Sequence, residues 1–183
     1  MHAINYDDVY LDYDGWDTAY YPEDTRYTGT VVEFDEMTQK ILLSISEWKD
    51  GLQDGIERCW DNQGRLESET QMAFNFAHGE SRTWYPNGQI KDWAILEYDY
   101  VLVSIDWDEN GNIVTHIVFD ENHPKDEREK HKAEVLQLRR LEYQRPLPPP
   151  LRNAPDGKLF IPVNYDELLD KYKYLQKMIE HDS

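Results

Sequence analysis

The chain has few of the residues and segments that would place it in several large classes of protein. Its single cysteine, Cys59, cannot form a disulfide within the chain, which excludes a disulfide-stapled fold. No run of 18 apolar residues occurs, so the sequence predicts no membrane-spanning helix. The N-terminus has neither the basic region nor the apolar stretch of a signal peptide. Together with the lone cysteine, this predicts a cytoplasmic setting.

Basic residues are scarce relative to acidic ones. The chain has 37 Asp and Glu against 19 Lys and Arg, a formal net charge of −18. This balance disfavours nucleic acid and anionic membranes as partners. The imbalance is uneven, since residues 1–25 contain seven acids and no Lys or Arg, whereas residues 125–145 contain seven bases. The acidity has two interpretations: it keeps the chain soluble, or it forms a surface complementary to a basic partner.

Motifs for catalysis and cofactor binding are also missing. There is no Walker loop, dinucleotide fingerprint, Gly-x-Ser-x-Gly or His-Glu-x-x-His, and the six histidines have no ligand spacing. Residues from Asp106 to Ile113 match the first eight positions of an EF-hand loop, but the twelfth position, which needs a bidentate Glu, is Ile117. The sequence therefore predicts no enzyme, no cofactor and no metal site.

Internal repetition is what the sequence has in abundance. The stretch from Gly55 to Gly64 recurs from Gly79 to Gly88 with the same Gly–Trp–Gly spacing. A third copy keeps only the second half of the pattern, and a worn fourth copy lies upstream with Phe34 in place of tryptophan. Successive copies are about 23 to 26 residues apart, a period that indicates an array of similar supersecondary units.

Three of the copies end in a turn dipeptide: Gln63-Gly64, Asn87-Gly88 or Asn110-Gly111. Asn-Gly favours a two-residue hairpin turn of type I′, which needs positive φ at both residues. A period of about 24 residues holds two strands and two turns, so consecutive copies are expected to form a continuous antiparallel meander. The predicted strands are 28–34, 39–48, 56–60, 65–74, 80–85, 89–98, 101–107 and 112–119.

One of these copies carries a resemblance to a known family. The pattern Gly-x-x-x-x-Trp-Tyr-x-Asn-Gly-Gln-x-Lys, found here from Gly79 to Lys91, resembles the bacterial variant of the MORN repeat. The resemblance covers roughly residues 27–120. Proteins built from this variant are often labelled antitoxins of toxin–antitoxin systems. The resemblance thus implies a bacterial β-hairpin repeat protein of the antitoxin or immunity type.

Outside the repeats, helical signals predict C-terminal helices, so the expected fold class is mainly β with C-terminal helices (α+β). In the first helix, Pro124 falls in the first turn. An apolar stripe expected to pack on the sheet consists of Ala133, Val135, Leu136, Leu138 and Leu141. The predicted parts are an acidic, Tyr-rich N-terminal segment (1–26), the repeat domain (27–120), a helix (121–145), a Pro-rich linker (146–157), and a short strand with a C-terminal helix (158–183).

We therefore expect a non-enzymatic protein that binds and neutralises a bacterial toxin through an acidic, aromatic-rich surface. A basic nuclease is one such partner, because acidic side chains could cover its active site. The acids expected to bind the partner are Asp12, Asp14, Asp17, Glu67, Glu69, Asp92, Glu97, Asp106 and Asp108. Two alternatives stay open: a scaffold or self-associating module, in which a homodimer forms, and a carbohydrate-binding or hydrolytic protein.

Overall fold

The chain consists of two units, Met1–Pro148 and Pro149–Ser183. The computed structural model describes residues 3–12, 18–21, 25–38, 40–118, 127–148 and 151. The described strands and helices all lie in the first unit. The predicted strand and helix at 158–183, and most of the predicted linker at 146–157, fall outside the described residues.

A nine-stranded sheet dominates the first unit, and β2 pairs with β3 in a separate two-stranded sheet. The order of the large sheet is β1-β4-β5-β6-β7-β8-β9-β10-β11, antiparallel except where β1 runs parallel to β4. The predicted mainly β class and the meander are confirmed. The strands are β1 (Ala3–Asn5), β2 (Tyr10–Asp12), β3 (Thr18–Tyr20), β4 (Gly29–Phe34), β5 (Leu42–Lys49), β6 (Leu52–Trp60), β7 (Leu66–Ala73), β8 (Phe76–Trp84), β9 (Ile90–Glu97), β10 (Tyr100–Trp107) and β11 (Ile113–Val118).

The turn glycines of the repeat lie at one end of the strands, in longer turns than we expected. Each turn begins at Asp61, Tyr85 or Asp108, whose carbonyl accepts a hydrogen bond from the glycine N–H three residues later at 2.8–3.0 Å. Only the glycine has positive φ there, for example +83° at Gly88. The prediction of type I′ turns at these dipeptides was therefore wrong, because Asn87 keeps negative φ and three residues, not two, lie between the bonded residues Tyr85 and Gln89.

Two-residue turns with positive φ at both positions occur instead at the opposite end of the strands. They are Asp50-Gly51, Phe74-Asn75 and Tyr98-Asp99, and 24 residues separate each from the next. The Asp99 carboxylate accepts the Ala77 N–H at 2.7 Å, and the Asp99 N–H donates to the Ala77 carbonyl at 2.8 Å. Asn75 bonds to Gln53 in the same way. These contacts join each repeat to the preceding one.

A helix, α1 (Glu127–Tyr143), packs against the end of the sheet where these two-residue turns lie. Leu136 and Tyr143 share a buried cluster with Leu52, Ala73 and Phe74. The predicted packing stripe is only partly correct, since Leu136 is buried but Leu138 and Leu141 are 55% and 73% exposed. The reason is that the buried face also contains Arg139, which lies over the Phe76 ring and donates to the Phe74 carbonyl. A stripe chosen for apolar residues leaves out Arg139, although this arginine is buried.

The residues after α1 remain attached to the sheet. The Arg145 guanidinium donates to the Asp54 carboxylate at 2.7 Å, and the Tyr98 hydroxyl donates to the Pro148 carbonyl at 3.0 Å. The beginning of the Pro-rich segment is thus bound to the repeat domain and is not a free spacer. Among the described residues, no helix is long and apolar enough to cross a membrane.

Candidate functional site

The register of the sheet sorts its side chains into two chemically different faces. Residues directly opposite each other on neighbouring strands point to the same side of a sheet. Two adjacent cross-strand rows define what we call the polar face. The first row is Glu33, Ser44, Cys59, Ser68, Thr83, Asp92, Asp106 and Thr115; the second is Val31, Ser46, Glu57, Thr70, Ser81, Ala94, Ser104 and Ile117.

The polar face has negative charge without any base in its rows. Its 16 positions contain four carboxylates and eight hydroxyls, and no Lys or Arg. Several side chains bond to each other across strands, as in Ser44 to Glu33 at 3.0 Å and Thr70 to Ser81 at 2.9 Å. The four carboxylates are partly exposed, whereas Val31, Ser46, Ala94 and Ser104 of the second row are buried.

The opposite side of the sheet, which we call the ladder face, pairs carboxylates with arginines in its central row. That row contains Arg58, Glu69, Arg82 and Trp93, which lie directly opposite one another on β6 to β9. Glu69 accepts from Arg58 at 2.7 Å and lies 3.6 Å from Arg82. Glu80 accepts from Arg82 at 2.5 Å and from the Trp93 indole at 2.6 Å. Around this row the carboxylates of Glu69 and Glu80 pair with Arg58 and Arg82, whereas the four carboxylates of the polar face have no Lys or Arg in their rows.

Asp92 and Asp106 face each other on β9 and β10, near one end of the polar face. Burial and a hydrogen bond with Asp106, together with the charge of that carboxylate, raise the pKa of Asp92 to about 7; Lys91 has the opposite, smaller effect. A hydrogen bond between two carboxyl groups needs a proton on one of them. With a pKa of about 7, the pair mostly carries a single proton below neutral pH. The sequence predicted both acids as partner-binding residues but gave no sign of their contact.

The structure places the other predicted acids in several different environments. Glu67 is exposed on β7, close enough to Cys59 to affect the pKa of its thiol. Glu69 belongs to the ladder face. Glu97 is 7% exposed, so little of it is available to a partner. Asp108 accepts from the backbone N–H groups of Asn110 and Asn112 at 2.9 and 2.8 Å, which gives it a role in forming its turn.

The N-terminal acids of the predicted set cannot be assigned to a surface. Asp12 ends β2, and Asp14 and Asp17 fall outside the described residues. Two acids that sequence reasoning missed, Glu33 and Glu57, stand on the polar face. Alternation within β4 and β6 could have put each on one side of its strand. Only the register between strands puts them on the same side as Asp92.

Cys59 lies between Ser44 and Ser68 on the polar face. Burial raises the pKa of its thiol, a hydrogen bond with Ser68 lowers it, and the carboxylates of Glu57, Glu33 and Glu67 raise it further. The thiol is consequently protonated at neutral pH and a poor nucleophile.

Two similar clefts open at the end of the strands where the longer turns lie. Their volumes are about 370 and 380 Å³, and they contain Trp84 and Trp60 at equivalent positions of successive repeats. Each cleft is bounded by the turn that follows its tryptophan and by the start of the preceding strand. That start is Leu66 of β7 for Trp84 and Leu42 of β5 for Trp60. An aromatic wall in a cleft of this size suits a small ring-shaped ligand.

No model of a known protein family matches the chain. No curated protein is similar enough to it to count as a relative. The class of protein is thus defined by architecture alone: a mainly β protein with a nine-stranded, largely antiparallel sheet and a helix packed at one end of its strands.

Proposed function

We propose that this chain is a non-catalytic binding protein whose polar face binds a basic protein, in the manner of an antitoxin or immunity protein. The observation that carries the proposal is the separation of charge between the two faces of the sheet. Glu33, Glu57, Asp92 and Asp106 stand on the polar face without a base in their rows, while the carboxylates of the ladder face pair with Arg58 and Arg82. An uncompensated acidic surface attracts and orients a basic partner.

Two features of the sequence support the same class of function. The net charge of −18 opposes binding to nucleic acid but favours a basic protein. The resemblance of the Trp–Gly repeats to the bacterial MORN variant associates the chain with proteins labelled antitoxins. A toxin that acts on nucleic acid fits this surface, because its substrate-binding site must be basic to attract phosphates. The carboxylates would then occupy the positions that phosphates take in the substrate.

The proposal is tested by capturing the partner from the native host with the tagged chain and identifying it by mass spectrometry. We expect a basic protein that is lethal when expressed alone and tolerated with this chain. Recovery of no basic protein from the host would contradict the proposal.

A pair of charge-reversal variants then locates the surface. Glu33→Lys with Glu57→Lys changes the charge on the polar face, and Glu109→Lys with Glu134→Lys changes it by the same amount at exposed positions elsewhere. We expect the first variant to lose the partner, with an affinity at least about tenfold lower, and the second to keep it. Equal losses would mean that only overall charge matters, which the proposed surface does not allow.

A second candidate function, binding of a carbohydrate, is favoured by the two tryptophan clefts. Trp60 and Trp84 lie at equivalent positions two strands apart, a separation of roughly 10 Å from the usual strand spacing. Two aromatic walls at a constant spacing suit a polymer of rings. Glycan-array binding that is lost in Trp84→Ala, but kept in the charge-reversal variant of the polar face, would support this candidate over the first.

A further inference from the structure

The strands that flank the facing carboxyl groups of Asp92 and Asp106 present only neutral side chains in the rows of the polar face. On the polar face, β8 presents Ser81 and Thr83 towards the pair, β10 presents Ser104, and β11 presents Thr115 and Ile117. The nearest base is Lys91, which precedes Asp92 on β9 and lies 5.7 Å from the centre of the Tyr85 ring. Apart from Lys91, whose charge lowers the pKa of Asp92, the cross-strand neighbours of the pair are neutral hydroxyl and apolar side chains.

Position alone makes full ionisation of this pair unfavourable. Directly opposite residues of an antiparallel pair have Cβ atoms about 4.5–5.5 Å apart, and like charges there destabilise the sheet. Two carboxylates at such a distance share one proton, because the second ionisation must overcome the charge left by the first. The register of β9 and β10, in which Asp92 opposes Asp106, is sufficient for this argument. The raised pKa of Asp92 supports it.

We infer that the Asp92–Asp106 pair makes partner binding at the polar face depend on pH, because a cationic group placed against the pair releases their shared proton. The inference rests on the proposed function and adds its regulation. In the free chain one carboxyl is protonated and donates to the other, so the pair carries a charge of −1. In the complex the proton passes to solvent, both carboxylates are ionised, and the charge of −2 faces the partner's Lys or Arg.

The size of the effect follows from the proton balance. With a pKa of about 7, the pair is mostly protonated at pH 6 and mostly ionised at pH 8. If one proton must leave on binding, the dissociation constant falls by about tenfold between pH 6 and pH 8. The same release is measurable as about one proton per complex at pH 6.

The test uses a lysine octapeptide as the cationic probe and the full chain at constant ionic strength. Isothermal titration calorimetry at pH 6 and pH 8, in two buffers of different ionisation enthalpy, measures both the affinity and the protons released. We expect about tenfold tighter binding at pH 8 and about one proton released at pH 6 in the wild type.

Two conservative variants separate the pair from general acidity. Asp92→Asn replaces the shared proton with an amide donor to Asp106, so it is expected to bind with little dependence on pH and little proton release. Asp106→Asn should behave alike. The matched control is Glu57→Gln, which removes one carboxylate from the same face; it is expected to bind more weakly but to keep the pH dependence and the proton release.

The outcomes separate this inference from the proposed function. Binding of the probe without proton release, or the same pH dependence in wild type and Asp92→Asn, would overturn the inference alone. Failure of the probe to bind at either pH would contradict the acidic binding surface and the inference together. Carbon-13 NMR titration of the free chain examines the pair separately: a carboxyl midpoint near pH 7 that Asp92→Asn removes supports the inference, and ionisation of both groups below about pH 5 overturns it.

Discussion

The leading glycine of the repeat offers the sharpest test of why the repeat has its spacing. Gly79 has φ of +120°, and the side chain of Gln71 on the neighbouring strand occupies the space where a Cβ would stand. The Gln71 side-chain oxygen accepts the Glu80 N–H at 3.0 Å. One repeat earlier, Glu47 is placed over Gly55 in the same manner. Gly79→Ala must therefore strain the backbone and displace the side chain of Gln71.

The two costs can be estimated separately. A non-glycine residue forced into this region of φ costs about 2 kcal/mol. Loss of the hydrogen bond from the partly buried Glu80 N–H adds about 1 kcal/mol. We therefore expect Gly79→Ala to lower the free energy of unfolding by about 3 kcal/mol. In the turn of the same repeat, Gly88 has positive φ, but an added Cβ meets no atom within 4 Å, so Gly88→Ala should cost only about 1 kcal/mol.

The assay is urea unfolding of both variants, followed by tryptophan fluorescence at pH 7. A Gly79→Ala variant no less stable than Gly88→Ala would refute the steric explanation of the leading glycine. A double-mutant cycle sharpens the result: in a Gln71→Ala background the obstruction is absent, so Gly79→Ala should cost about 1 kcal/mol less than in the wild type.

Three further predictions concern the core, the carboxyl pair and the attachment of the segment after α1. Phe74→Ala should cost about 3–4 kcal/mol in urea unfolding, because this ring is 1% exposed within the cluster beneath α1. Because the pKa of Asp92 is raised from 3.8 to about 7, the wild type loses stability as pH rises through this window and no more above it. Complete burial would make the loss about 4 kcal/mol; partial exposure reduces it to about 1–2 kcal/mol. Asp92→Asn should therefore exceed the wild type by this amount at pH 8 and match it near pH 4, as measured by unfolding at both values. Arg145→Ala should cost about 1–2 kcal/mol in the same assay through loss of the bond to Asp54, whereas Arg140→Ala, at an exposed position of α1, should cost less than about 0.5 kcal/mol.

Most of the strand pattern could be predicted from local features of the sequence. All eight predicted strands from 28 to 119 are present as β4 to β11, with ends that differ by up to four residues. The largest differences are at the starts of β6 and β8. They arise because Phe74-Asn75 and Asp50-Gly51 reverse the chain in two residues, so the next strand begins sooner than expected. A bulky aromatic residue such as Phe74 gives no turn signal of its own.

The N-terminal region and the helix differ from expectation for reasons of packing. In the N-terminal segment, β2 pairs with β3, and the strand at the edge of the large sheet is β1. The packed side of α1 includes Arg139, whose guanidinium lies 4.7 Å from the centre of the Phe76 ring. Neither pairing nor this contact is encoded within the segment itself.

The amino-acid sequence by itself determined the repeat, the number of strands in it and the total charge. These properties depend on spacing, alternation and composition, which are local. Only the tertiary structure decided where the charge stands, because the face of a side chain depends on the register and bulges of strands far apart in the chain. Asp92 and Asp106 are 14 residues apart, and their contact exists because β9 and β10 pair in one register. The uncompensated polar face and the balanced ladder face follow from the same pairing.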